Sequence, residues 1–392
     1  MDKSKLLELI SIGENERIEF KESLDIIDAG NRNIANEMAA FANTKGGYII
    51  VGVNDAGRIV GVQDITHLEE KIMNIASDKL YPPIQLIFFN IKVEDKNVAV
   101  IEIPQGVNRP YEPAYIRRGS TKRKATREEL RRLYQEGGLI EFDRTKISGS
   151  NLEDLDFDKI ENYLQMITGK KFEDLEISKE RLLENKEIAV YGESGYQVTV
   201  AGMLVFGKTP QRYLPQIGIK LVRFKGEDVG DDIIDRKEIE GDLPFMIDYS
   251  VSFIKRHTNL GAKIEGIKRI DVPEYLEAVI REAIINAVVH RDYSVRNANI
   301  SMFIFDNRLE IRSPGRLPNS ASLEKLSLGD HHPRNRLLFL FLETMGYGER
   351  IGTGIPRMIK RCKENAYPEP KFEEKGEEFW ISLYPKIYSG RA

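Results

Sequence analysis

Apolar residues recur at helical spacing late in the chain, where Ala278, Ile280, Ala283, Ile284, Ala287 and Val288 form a stripe. The spacing predicts a helix over 281–293 with Pro273 near its start. Its polar residues are ordered as well. Glu282, Asn286 and His290 are each four apart, which stacks a carboxylate, an amide and an imidazole along one edge. Beyond this helix the pattern turns to alternation. Residues 298–305 predict a strand, Asp306-Asn307 a turn, and 308–312 a return strand with Leu309 and Ile311 on one face. That strand runs into Ser313-Pro314-Gly315, a tight turn where a backbone can approach a ligand. A second glycine turn, Gly352-Thr353-Gly354, leads into a basic amphipathic helix at 358–363.

The N-terminal pattern predicts a helix at 3–10, a turn becoming a strand over 13–23, and a helix at 33–43. Ile34, Met38, Ala39, Phe41 and Ala42 of that second helix face a core. A buried strand at 48–53, a turn at 54–58 and a second strand at 59–62 follow. Then come a helix at 67–79, a strand pair at 84–93 and 98–103, and a helix at 127–134. In the middle, residues 147–151 read as a polar linker, 155–164 and 178–184 as helical, 217–224 as a strand, 231–236 as a turn and 238–257 as a long helix. The expected class is α+β, in three parts: 1–140, 141–270 and 271–392.

Composition narrows the function. The 392 residues suffice for two or three domains. With 58 Lys and Arg against 62 Asp and Glu, the net charge of -4 points to no acidic partner, and only local charge is informative. Cys362, the single cysteine, excludes an internal disulfide framework and a cysteine zinc site. Neither an apolar signal core nor a membrane-spanning run is present, so a soluble, cytoplasmic protein without membrane contact is expected. Gly202 to Thr209 fits the pattern of a phosphate-binding loop. Met203, Leu204, Val205 and Phe206 fill its interior, and they suit a hydrophobic helix or strand rather than a loop of free amides. That match is rejected.

Local charge is uneven. Residues 115–133 hold eight Lys or Arg against two Glu, among them Arg117, Arg118, Lys122, Arg123 and Lys124. With Gly119, Ser120 and Thr121 between them they can contact a phosphate backbone, although a solvated basic loop accounts for the charge equally well. The helix edge suits magnesium nucleotide chemistry. An amide oxygen is a hard ligand, a carboxylate can orient water, and His290 or Arg291 can face a phosphate. Taken alone, the helix reads more simply as one with a few polar residues on its wet side. The hairpin and the two glycine turns shift that reading.

In that order these elements resemble the ATPase fold shared by gyrase, the heat-shock chaperone and sensor histidine kinases. The likeness spans about 275–385 and is strongest to the divergent form at the C-terminus of a family of bacterial and archaeal transcriptional regulators. The resemblance implies Glu282 as the residue activating water and Asn286 as the magnesium ligand, with His290 and Ser313 also at the nucleotide. It implies Gly315 against the base, Gly352, Thr353 and Gly354 against the phosphates, and a nucleotide lid between about 319 and 350. ATP and Mg2+ are the implied cofactors. Ser313 stands where the family has an Asp that reads the adenine amino group, and a hydroxyl does not match a carboxylate in strength. Binding is therefore implied more firmly than hydrolysis, and any ATPase activity is expected to be weak.

The N-terminal third resembles the Alba-type domain of Schlafen proteins. Four segments carry the likeness: Glu14 to Lys21, the Phe41-Ala42-Asn43-Thr44 helix end with Gly46-Gly47, the Gly52-Val53-Asn54-Asp55 hairpin, and Tyr115 to Thr121. That family binds nucleic acid, which implies Lys21, Arg117, Arg118 and Lys122 as backbone contacts. Some relatives are ribonucleases using three carboxylates, and the matching positions are Glu14, Glu19 and Asp55. The leading expectation is an ATP-binding, DNA-binding transcriptional regulator, with DNA preferred over RNA and a homo-oligomeric assembly. The alternative is a metal-dependent nuclease, active in defence and controlled by ATP. A scaffold with neither site active is the third.

Overall fold

The computed structural model describes residues 1–23, 31–193, 195–258, 260–265, 268–317, 333–348 and 354–386, without side chains at 31–33, 260–265 and 268–271. The chain is mixed α+β and divides into two compact units, residues 1–140 and 141–392.

In the first unit the elements run α1 (Lys3–Ile12), β1 (Ile18–Lys21), α2 (Asn31–Ala42), β2 (Gly47–Val51), α3 (Ile65–Asp78), β3 (Ile87–Val93), β4 (Lys96–Ile103), β5 (Tyr115–Arg118), β6 (Thr121–Lys124) and α4 (Arg127–Glu136). Strands β1-β2-β4-β3 form one sheet, with β1 and β2 parallel and the other pairs antiparallel. Strand β2 is apolar throughout because both its faces are covered. Ile49 and Val51 pack with α2 and α3, whereas Ile50 packs with Leu6 and Leu9 of α1. The expected strand at 59–62 is not formed. Val53–Ile59 and Val62–Asn97 are isolated bridges, because Asn54 Oδ1 accepts from the amides of Ala56 and Arg58 and holds a closed turn.

The second unit runs α5 (Phe157–Thr168), α6 (Lys179–Asn185), β7 (Ala189–Gly192), β8 (Gly195–Val198), α7 (Val200–Phe206), β9 (Ile219–Lys225), β10 (Asp232–Ile239), α8 (Leu243–Arg256), β11 (Leu260–Glu265), β12 (Lys268–Pro273), α9 (Glu277–His290), β13 (Ile300–Ile304), β14 (Leu309–Pro314), α10 (Arg336–Thr344), α11 (Gly354–Glu364), β15 (Lys371–Lys375) and β16 (Glu378–Leu383). A six-stranded sheet has the order β10-β9-β13-β14-β16-β15. The expected boundary at 270 falls inside this unit, since β9 from before it pairs in parallel with β13 from beyond it. One hydrophobic core runs from Ile147 to Leu383.

Several local expectations are corrected here. Residues 147–151 are not a loose linker, because Ser150 is buried, accepts from the Val198 amide at 2.9 Å and donates to the Ile147 carbonyl. The turn expected at 231–236 lies mostly in β10. That edge strand is exposed along most of its length, so no apolar alternation marks it. Asp242 then caps α8, which starts at Leu243 rather than 238. Pro273 ends β12, and α9 begins four residues later. Gly202 to Phe206 lie in the buried helix α7, where Thr199 caps and a Cβ on Gly202 would overlap the Ile188 carbonyl oxygen. The glycine serves packing, as its apolar neighbours suggested.

Candidate functional site

Helix α9 is the spine of the site. Every residue from Val279 to Val289 is buried except Arg281, Glu282 and Asn286, with His290 half-buried at its last turn. A helix this apolar sits inside a core, and the polar strip of half-buried residues interrupts its buried surface. Asn286 Nδ2 donates to the Glu282 carbonyl at 2.9 Å and to Glu282 Oε1 at 3.2 Å. This fixes the amide with Oδ1 as its remaining end.

Helix α11 starts beside this pair. A Cβ on Gly354 would overlap Glu282 Oε1 and lie 3.0 Å from Asn286 Nδ2. Only glycine lets the backbone come so close, and the helix N-terminus brings amide donors to the same place. An amide oxygen, a carboxylate and a helix N-terminus are a donor set that fits a magnesium-bound triphosphate. Gly352 and Thr353 lie outside the described residues.

The first glycine turn meets the other end of α9. Ser313 is buried and its Oγ donates to the Ala287 carbonyl at 2.7 Å, so the hydroxyl proton is already committed to the helix. Gly315 has φ +118°. A Cβ there would lie 2.9 Å from Asp292 Cβ and 3.1 Å from Arg334 Nη1. Arg291 faces no phosphate. It is buried, and Nη1 and Nη2 donate to the carbonyls of Asp292, Gln216, Val295 and Ala298. Burial pushes its pKa down. The expectation of a lid over 319–350 does not hold for its later part. Residues 318–332 and 349–350 lie outside the described residues, but 336–344 are helix α10, whose Leu337, Leu338, Phe341 and Leu342 belong to the core.

In the first unit the basic cluster separates into two sets. Arg117 is fully buried. Both its terminal nitrogens reach Glu19 Oε2 at 3.0 Å, Nη1 also reaches Glu37 Oε2 at 2.9 Å, and its guanidinium lies over Phe41. Lys122 pairs with Glu37 and Lys21 with Glu19. These three of the expected nucleic-acid contacts neutralise buried acids instead. The other set faces water. Arg118 is 74% exposed, Lys124 is exposed, and Arg123 is bonded through two nitrogens to Glu129. That pairing holds the Glu129 carboxyl down at about 2. Arg127 and Arg131, one turn apart on α4, extend the exposed set. The capping box at Thr126 and Glu129 fixes where α4 starts, and so where these two arginines point.

The three acids expected as a nuclease centre are not gathered. Glu14 Oε1 accepts from the Phe20 amide, Glu19 is held by Arg117 and Lys21, and Asp55 is exposed in a turn. Among the described residues no group of three or more His, Cys, Asp or Glu could hold a metal ion. Sequence reasoning missed Glu37, Asp292 and Arg334. Glu37 was legible as a lone acid on the apolar face of 33–43. Asp292 and Arg334 are 42 positions apart and carry no shared pattern.

Comparisons with known proteins match separate stretches of the chain. Residues 14–126 match the family model described as "Schlafen, AlbA_2", and 297–383 match "Putative ATP-dependent DNA helicase recG C-terminal". Residues 131–220 match a domain of unknown function. The C-terminal match begins after α9, so Glu282 and Asn286 rest on geometry alone. The crystal structure of the DIP2311 protein from Corynebacterium diphtheriae is 22% identical, with a TM-score of 0.51 over 98% of this chain and 80% of that one, and shares the fold. The N-terminal domain of a RecG-related protein from Nitrosomonas europaea is 25% identical over 27% of this chain and 74% of that one, with a TM-score of 0.23. No curated protein matches the chain. Among the described residues no helix is long and apolar enough to cross a membrane.

Proposed function

We propose that this chain binds ATP with magnesium in its second unit and nucleic acid in its first, and that it acts as a regulator of transcription, assembled with copies of itself. The observation that carries the nucleotide reading is the Glu282–Asn286 pair set against the glycine start of α11. Asn286 would offer Oδ1 to the metal, Glu282 would orient a water, and the amides at Gly354 would face the phosphates. The turn at Gly315 would take the base. Magnesium bound with the nucleotide neutralises phosphate charge at this point. DNA is the preferred partner because the C-terminal family model is named for an ATP-dependent DNA helicase. The reading is of a nucleotide-binding domain rather than a motor, since the loop-like stretch at 202–209 starts inside a packed helix. The nucleic-acid surface is Arg118, Lys124, Arg127 and Arg131, with Arg123 beside them.

Calorimetry with Mg-ATP tests the nucleotide half. Wild type should bind, and Asn286→Ala should bind at least about tenfold more weakly, as expected for loss of a metal ligand and of a hydrogen bond to a charged group. Equal binding by the two proteins would remove the site from α9.

A further inference from the structure

Three side chains from three elements meet where the chain leaves α10 on its way to α11. Gly346, at φ +81°, turns the chain after α10, and the Tyr347 amide donates back to the Leu342 carbonyl at 2.9 Å. The turn sets the Tyr347 side chain against α8 and α9. Its hydroxyl donates to Asp248 Oδ2 at 2.6 Å, Arg281 Nη1 lies 3.4 Å from Asp248 Oδ1, and the Arg281 guanidinium sits 5.9 Å from the centre of the Tyr347 ring. Burial and then the Asp248 carboxylate push the phenol's pKa up, with Arg281 opposing, so Tyr347 stays protonated and donates at neutral pH. A second pair, Lys255 Nζ to Glu277 Oε2 at 2.6 Å, clamps the same two helices. At the other end of α10, Asn335 is bonded to the Val289 and Arg291 carbonyls, so α10 is tied to α9 at both ends. The chain leaves α10 beside Arg281 and returns at Gly354 against Glu282, the next residue of α9. Tyr347 and Gly354 are only seven positions apart.

We propose that Tyr347, Asp248 and Arg281 form a latch that positions the start of α11 against Glu282 and Asn286, and that these three positioning residues set nucleotide affinity without touching the nucleotide. This rests on the nucleotide reading above and adds to it how the phosphate end of the site is held. A short length of chain fixed at both ends has fewer conformations to lose when its amides close on a phosphate. Releasing one end leaves the chemistry of Glu282, Asn286 and Gly354 unchanged and returns the ordering cost to the binding step. Asp248 and Arg281 are exposed, so the latch contributes little to global stability, and its effect on affinity can be read apart from folding.

The test is Mg-ATP binding by calorimetry on the full chain, read beside thermal denaturation without nucleotide. Tyr347→Phe removes one hydroxyl. It should weaken Mg-ATP binding by about threefold or more, within the range exerted by residues that do not touch a ligand. Its unfolding temperature should stay within about 4 °C of wild type. Asp248→Ala removes the acceptor and should weaken binding at least as much. The double variant should bind no more weakly than Asp248→Ala alone, because the two groups act as one. A purely structural role would instead lower the unfolding temperature and leave the affinity alone. Asp248→Ala also carries the test by itself should Tyr347→Phe fail to fold. A folded variant that binds Mg-ATP as wild type does overturns the latch and leaves the nucleotide site standing, and so do losses that add in the double variant. A wild type that binds no Mg-ATP overturns both.

Discussion

Removing the Arg117 side chain would leave the buried Glu19 and Glu37 carboxylates with Lys21 and Lys122 as their paired cations among the described residues. Breaking a buried ion pair from one side costs about 3–5 kcal/mol. Arg117→Ala should therefore lower the unfolding free energy of the first unit, measured by urea titration, by that much, and a loss below about 1 kcal/mol would mean that the pocket admits water. Its sequence neighbour behaves oppositely. Arg118 faces solvent, so Arg118→Ala should move stability by no more than about 0.5 kcal/mol. In a salt titration the same variant should weaken nucleic-acid binding and reduce the salt slope by about 1. If Arg118→Ala and wild type titrate identically with salt, this surface is not the interface. The two arginines are indistinguishable in sequence, because charge density along a chain carries no information about which face of a hairpin is covered.

Helix α10 shows the same principle at the level of an element. Asn335, at its N-cap position, turns its amide away to donate to the Val289 and Arg291 carbonyls at the end of α9. Asp143 takes over the cap from far away in sequence, with Oδ2 accepting from the Leu338 amide at 3.0 Å and Oδ1 without a hydrogen-bond partner among the described residues. Burial pushes this carboxyl up, Glu141 adds to the rise, and the backbone donors and Arg144 oppose it; fully buried Tyr293 also faces it. The sign follows from linkage. A raised folded value means that the folded protein keeps a proton that the unfolded chain has released, so stability falls as pH rises through that window. Asp143→Asn mimics the protonated acid, keeps an acceptor for Leu338 and cannot titrate. Its stability relative to wild type, measured by urea unfolding from about pH 4 to pH 8, should rise with pH. A flat difference would show that the carboxyl titrates as in the unfolded chain. Capping by a residue almost 200 positions away leaves no trace in the local sequence, which is why 336–344 read as part of a lid rather than as core.

On the scale of the whole molecule, each of the two units has its own hydrophobic core, and we assign nucleotide to one and nucleic acid to the other. A regulator needs coupling between them, and coupling is reciprocal. Nucleic-acid affinity should therefore differ with and without saturating Mg-ATP, by a factor of about 5–150 in either direction, and nucleic acid should shift Mg-ATP affinity by the same factor. Identical affinities would leave two independent binding modules in one chain and remove the regulatory reading.

Much of this molecule follows from its sequence alone. The α+β class, the helix with Glu282, Asn286 and His290 on one edge, the hairpin into the first glycine turn and the apolar strand β2 are all set by periodicities of 3.6 and 2 and by glycine, which act within a few residues. The rejected loop at 202–209 belongs with them, since four consecutive large apolar residues are incompatible with a phosphate cradle. Tertiary structure alone decided the rest. It joined β9 to β13 across the expected boundary, sent Arg117, Lys21 and Lys122 to buried acids, dispersed Glu14, Glu19 and Asp55, and set Asp292 and Arg334 against Gly315. These outcomes depend on which surfaces exclude water and which distant charges meet there, and burial sets the worth of a charge more than its place in the chain does.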